Sequence, residues 1–125
     1  MENKEPDWRE ILTDEEYRVM REAGTERPFS GIYNDHYEKG IYRCKGCNTE
    51  LFDSTSKFDG HCGWPSFDAE IKKGIIEERL DKSHGMIRTE IVCSNCKSHL
   101  GHVFNDGPTG TGLRYCVNSV SLLFG

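Results

Sequence analysis

Long apolar runs are missing from this sequence. No segment approaches the roughly 18 consecutive apolar residues of a membrane span. The start, MENKEPDWRE, lacks the basic-then-apolar pattern of a secretory signal. Both absences point to a soluble, cytoplasmic protein with no membrane partner. An excess of positive charge is missing too. Sixteen Lys and Arg stand against 21 Asp and Glu, a net charge of −5 with both signs interspersed. That argues against a nucleic-acid partner, whose binding surface would show a basic stripe. No alternation of strand and helix patterns supports a parallel sheet. Apart from two similar cysteine pairs there is no internal repeat, and nothing marks a linker.

What the chain has in quantity is cysteine, six in 125 residues. A single domain spanning 1–125 is expected, large enough for a core and small enough to gain from a staple. In a reducing compartment such a count reads as metal binding or catalysis and not as a disulfide framework. Four of the six form Cys-x-x-Cys pairs, Cys44/Cys47 and Cys93/Cys96. Two such knuckles give Zn2+ a closed tetrahedron of thiolates, so one structural zinc per chain is expected, clamping the first half to the second. In zinc-finger peptides the apparent binding energy is on the order of 10 kcal/mol. The competing readings are redox-active pairs or a structural iron site. A thioredoxin-like pair belongs at a strand-to-helix junction in a βαβ unit, and no such unit is visible.

The fold class expected is mainly β: two antiparallel sheets with short N-terminal helices, stapled by the four-cysteine zinc site. The helical segment covers about 7–24. Trp8, Ile11 and Leu12 share one face of a short helix. Thr13 to Glu16 is a capping box for a second helix through Tyr17 and Met20, stopping at Gly24 and lying as a lid on one sheet. A hairpin is expected to carry each knuckle, Gly40–Arg43 with Leu51–Phe52, and then Met86–Cys93 leading into the second. Ile75–Leu80 pairs with Met86–Cys93 through the polar turn 81–85. Strands His99–Phe104, Leu113–Asn118 and Ser119–Phe124 complete the chain.

Chemistry concentrates in three stretches. Leu113 to Asn118 alternates so that Leu113, Tyr115 and Val117 face a core, while Arg114, Cys116 and Asn118 share the other side. The strand alone leaves open whether Cys116 is a reactive thiol or faces a second packed layer. His99-Leu-Gly-His102 follows the second knuckle. Its histidines reach one site only if the backbone kinks, most easily at Gly101. Beside Cys116 they would make an acid–base partner for a thiol nucleophile. Cys62 lies in a Gly/Pro-punctuated loop with Trp64, either a core indole or one held outward by the following proline.

These stretches, Gly63-Trp-Pro-Ser-Phe67, His99-Leu-Gly-His-Val-Phe104 with Asp106-Gly-Pro108, and Arg114-Tyr-Cys-Val-Asn118 with Ser119, closely resemble the methionine sulfoxide reductase B family. The zinc pairs match in position and order. The resemblance implies reduction of methionine-R-sulfoxide in proteins and peptides. Cys116 would be the nucleophile and pass through a sulfenic acid, Cys62 would resolve it as a disulfide, and a thioredoxin-type dithiol would recycle the pair. His102 would be the acid, with His99, Asp106 and Asn118 organising the site and Arg114 favouring the thiolate. Trp64 and Phe67 would bind substrate. A monomer is expected. One departure is His61, where the family usually carries glycine; it is expected to alter the Cys62 loop. The rival class is a zinc-stabilised β-scaffold that only binds a partner.

Overall fold

The computed structural model describes residues 7–60 and 62–125; His61 lies outside the described residues. The described residues begin with two short helices, α1 (Trp8–Ile11) and α2 (Asp14–Arg21). Thr13 caps α2 as its sequence requires: its Oγ1 accepts from Glu16 N–H at 3.2 Å, and the Glu16 carboxylate accepts from Thr13 N–H at 2.9 Å. The helix stops earlier than Gly24. Ala23 takes the left-handed turn (φ 57), and Gly24 N–H returns to the Arg18 carbonyl. Val19 and Met20 are buried on the face that lies over the strand His99–Phe104 and the turn Ser119–Ser121.

Among the described residues nine strands form two antiparallel sheets. β1 (Ile41–Cys44), β2 (Glu50–Asp53) and β9 (Leu122–Phe124) make a three-stranded sheet in the order β2-β1-β9. The six-stranded sheet runs β3-β4-β8-β7-β6-β5, from β3 (Lys57–Phe58) and β4 (Ser66–Phe67) through β8 (Arg114–Val117) and β7 (His99–Phe104) to β6 (Arg88–Cys93) and β5 (Ile76–Asp81). The last expected strand is divided: Ser119–Ser121 is a 3-10 turn, and only Leu122–Phe124 extends. Ile87 falls outside β6 and is largely exposed, while Ile91 is fully buried.

The core lies where the inner faces of the sheets meet. Phe67 stacks on Phe52 with ring centres 4.3 Å apart, and Tyr42 and Tyr115 meet this pair edge-on. Tyr115 and Val117 point into that core, so on β8 the residues Arg114 and Cys116 must face the other way. This is the alternation the sequence predicts.

The two cysteine knuckles are built alike. Asn48 N–H returns to the Cys44 carbonyl and Lys97 N–H to the Cys93 carbonyl, with Asn48 and Lys97 each at positive φ. One knuckle joins β1 to β2 in the small sheet, and the other joins β6 to β7 in the large one. The cluster therefore sits where it can staple the sheets together.

Candidate active site

Register, more than proximity in sequence, builds the site. On the outer face of the large sheet Glu90, His102, Cys116 and Ser66 are directly opposed across β6, β7, β8 and β4. Directly opposed side chains on neighbouring antiparallel strands lie within roughly 5.5 Å at Cβ, so each touches the next. His99 joins them through a bulge. Ile91 faces Gly101 while Val92 faces His99, leaving Leu100 as the extra residue. The two imidazoles end 5.6 Å apart. The kink is thus at Leu100 and not at Gly101. Glycine at 101 has a different cause: a Cβ there would land on the Cys116 carbonyl oxygen.

Cys62 reaches this row from the loop before β4. Its Sγ lies 3.4 Å from Cys116 Sγ and 3.4 Å from Ser66 Oγ. Both cysteines are free thiols. The loop is shaped by Gly63, at φ 91, where a Cβ would meet Pro28 at 2.7 Å. The shared hydrogen bond holds Cys62 down to about 5, and the same bond together with burial pushes Cys116 up. Both shifts arise from one shared hydrogen bond, so ionising either thiol disfavours ionising the other.

Each histidine is anchored by a carboxylate. His102 Nε2 lies 2.8 Å from Asp81 Oδ2, and His99 Nδ1 lies 2.7 Å from Glu90 Oε2. An ionised carboxylate only accepts, so these ring nitrogens carry the protons. The His102 hydrogen bond holds Asp81 well below the usual carboxylate range, whereas burial pushes His99 below the usual imidazole range against the pull of Glu90. Arg114 is clamped by both oxygens of Asp106, at 2.8 and 3.0 Å, and lies over the Phe104 ring.

A cavity of about 210 Å³ opens above the thiol pair. Trp64 and Phe104 wall it, His102, Arg114 and Asn118 flank it, and Cys62 and Cys116 both line it. A cavity of roughly 150 Å³ holds benzene, so one thioether-sized side chain fits here. Trp64 is half-buried, its indole N–H donating to the Glu26 carbonyl at 3.0 Å. It is a pocket wall and not a core residue.

Two expected site residues stand elsewhere. Phe67 is fully buried and stacked on Phe52, beyond the reach of any ligand; this corrects its assignment to substrate binding. The motif placed it beside Trp64, but strand alternation sends it to the opposite face. Asp106 is exposed and meets the pocket only through Arg114. Thr25, Arg88 and Phe104 line the cavity without having been singled out from sequence, and Asp81 and Glu90 anchor the histidines. The polar side of β6 carried a partial signal for Arg88 and Glu90.

The other four cysteines form a separate cluster. Cys44 Sγ lies 3.6 Å from Cys96 Sγ and Cys47 Sγ lies 3.5 Å from Cys93 Sγ, and all four sulfurs fall within 4.8 Å of one another. Thiolates about 2.3 Å from a tetrahedral ion stand roughly 3.8 Å apart. The donor set therefore fits a four-thiolate metal site. Thr49 and Ser98 hydroxyls lie 3.0 and 3.1 Å from Cys47 and Cys96 sulfurs.

Two adjacent free thiols beneath a side-chain-sized cavity, on sheets that meet at a four-cysteine cluster, define the class: a thiol-dependent oxidoreductase on a β scaffold with a cluster suited to a metal. The particular family follows from comparison. The profile of the SelR domain matches residues 12–125, and the chain belongs to that family, the methionine sulfoxide reductases B. A protein of Teredinibacter turnerae named peptide methionine sulfoxide reductase MsrB is 62% identical over 117 residues, 94% of this chain and 87% of its own length. Proteins of the same name from Herminiimonas arsenicoxydans and Chromohalobacter salexigens are 58% and 57% identical. They span 94% and 99% of this chain and 86% and 94% of their own lengths. No helix among the described residues is long and apolar enough to cross a membrane.

Proposed function

We propose that this protein reduces methionine-R-sulfoxide in proteins and peptides to methionine, using Cys116 as nucleophile and Cys62 as resolving thiol, as one cytoplasmic, monomeric domain. The observation that carries the reading is the Cys62–Cys116 pair, 3.4 Å apart and lining a cavity that also holds Trp64 and His102. A sulfoxide side chain enters with its methyl group against the indole and its oxygen toward His102. Swapping methyl and oxygen would misplace one of them, which separates the epimers.

Atoms and electrons balance in three steps. The Cys116 thiolate attacks the sulfoxide sulfur, His102 protonates the oxygen, and the S–O bond breaks. With a second proton from solvent the oxygen leaves as water, and the Cys116 sulfur is left bonded to the substrate sulfur. Water then attacks the Cys116 sulfur, that sulfur–sulfur bond breaks, and methionine and a proton leave. Cys116, oxidised by two electrons, is then a sulfenic acid. Cys62 then attacks the Cys116 sulfur, releasing water and forming a disulfide. A disulfide is about 2.0 Å long, so the two sulfurs must close by about 1.4 Å. A thioredoxin-type dithiol reduces the bond by exchange and restores both thiols. His99 and Asn118 hold the surrounding frame, and Asp106 fixes Arg114, whose charge favours the thiolates. Zn2+ is the ion proposed for the four-thiolate site. It leaves no open position and supplies rigidity rather than reactivity.

The test is reduction of dabsyl-methionine-R-sulfoxide with dithiothreitol. Wild type is expected to turn over, and Cys116→Ser to lose activity. Activity surviving in the variant removes Cys116 as nucleophile, and none in metal-loaded wild type removes the reading. Cys62→Ser is expected to keep turnover with dithiothreitol and to lose most of it with thioredoxin.

A further inference from the structure

Between α2 and β1 one residue touches the site without lining it. Glu26 is 2% exposed and lies in irregular backbone. Its main-chain N–H donates to Asn118 Oδ1 at 3.0 Å, and its carbonyl accepts from the Trp64 indole at 3.0 Å. These two partners stand on different parts of the pocket, one on the loop before β4 and one at the end of β8. Asn118 is in turn fixed by donating to the Leu100 carbonyl at 3.0 Å.

The Glu26 side chain explains why the main chain stays there. Its Oε1 accepts from Val120 N–H at 3.0 Å, within the 3-10 turn that follows the nucleophile strand. Its Oε2, close to Gly31, has no partner in good hydrogen-bond geometry, while the neighbouring Ser119 amide and hydroxyl offset only part of the cost of burial. Burying a carboxyl with one oxygen unmatched costs stability. An apolar side chain at this position would avoid that cost but would lose the tie to Val120. Burial also pushes the Glu26 carboxyl up, so it is a poor place for a charge that serves nothing else.

We propose that Glu26 is a positioning residue for sulfoxide recognition: its side chain pins the segment between α2 and β1 to the turn after β8, so that its main chain holds the Trp64 indole and the Asn118 amide in one frame. The proposal rests on the methionine sulfoxide reading of the pocket. The frame sets how closely the indole meets the substrate methyl group, and its loosening therefore weakens substrate binding more than the chemistry at sulfur.

The chain has two tryptophans, so a Trp8→Phe background leaves Trp64 as sole fluorophore. In that background Glu26→Ala is expected to raise KM for a methionine-R-sulfoxide peptide about tenfold, with kcat changed less than about threefold. Acrylamide quenching of Trp64 is expected to rise at least about twofold as the indole is freed. Glu26→Gln keeps an acceptor for Val120 and is expected to restore both readouts. Glu26→Asp, too short to reach Val120, should behave as Glu26→Ala and serves if the alanine variant fails to fold. Unchanged quenching and KM in a folded Ala or Asp variant overturn the proposal. So does a loss of thermal stability without either change, which would mark a structural role only. If wild type does not reduce the peptide, the functional reading falls, and the quenching comparison alone still decides whether Glu26 holds the indole.

Discussion

At the scale of single residues, the Cys116 thiol poses a question of proton position. It is half-buried and hydrogen-bonded to Cys62, and both effects keep its proton on. Attack on a sulfoxide needs the thiolate. The Arg114 guanidinium is the neighbouring charge that draws the Cys116 value back down and favours its thiolate, whereas the Cys62 thiolate, 3.4 Å away, opposes it. Removing Cys62 removes a neighbouring negative charge and thereby lowers the Cys116 value, because like charge disfavours the thiolate. Cys62→Ser is therefore expected to speed alkylation of Cys116 by iodoacetamide at neutral pH several-fold, measured by peptide mass spectrometry over time. An unchanged rate would uncouple the two thiols. Gly101 gives a second expectation. Its missing Cβ makes room for the Cys116 carbonyl, and backbone cannot move aside as a flexible side chain can. Gly101→Ala is expected to cost about 1–3 kcal/mol and to lower Tm by roughly 3–10 °C in thermal unfolding followed by circular dichroism.

At the scale of elements, β7 and its neighbours decide which residues meet. The pairing of β5 with β6 brings Asp81 opposite Arg88 at the far end of the hairpin, and from there Asp81 holds His102. The His102 hydrogen bond lowers the folded Asp81 value below the unfolded one. Such a carboxylate contributes stability above roughly pH 4 and loses it as pH falls through its folded value. Wild type should thus exceed Asp81→Asn in Tm at neutral pH, and the gap should shrink as the solution is acidified below roughly pH 4. The same variant should lower kcat about tenfold, as His102 loses its fixed orientation. A gap independent of pH would mean the carboxylate charge does not contribute. Patterns that repeat locally were legible beforehand: both knuckles, the capping box, strand β7 and the alternating faces of β8. Features set by distant partners were not. The bulge falls at Leu100 because β6 and β8 constrain β7 from both sides. Asp81 and Glu90 acquire meaning only through strand register. Glu26 sits in a loop with no periodicity, tied to residues 38 and 92 positions away. Phe67 misled because a motif names neighbours in sequence, while a strand turns alternate neighbours to opposite faces.

At the scale of the whole molecule, the four-cysteine cluster is placed to control the site from a distance. Cys44 and Cys47 belong to the β1–β2 hairpin, Cys93 and Cys96 to the β6–β7 hairpin, so an ion there would join the two sheets. The helical lid is tied in as well: Arg21 donates to the Cys96 carbonyl at 2.9 Å and to Ser98 Oγ at 3.0 Å. The next residue, His99, opens β7 and with it the imidazole row beside Cys116. A structural zinc site contributes apparent binding energy on the order of 10 kcal/mol, comparable with the roughly 5–15 kcal/mol total stability of a domain. Loss of the metal should therefore abolish the fold and not merely soften it. Metal analysis of wild type is expected to give one zinc per chain. Stepwise removal with a chelator should release it together with far-ultraviolet circular dichroism and activity, along one curve. Cys93→Ser should be metal-free and unfolded at 25 °C. If that variant instead kept its sheet signal while losing turnover, the cluster would act on the site alone. If it kept both, Arg21 and the aromatic core between the sheets would suffice without any clamp.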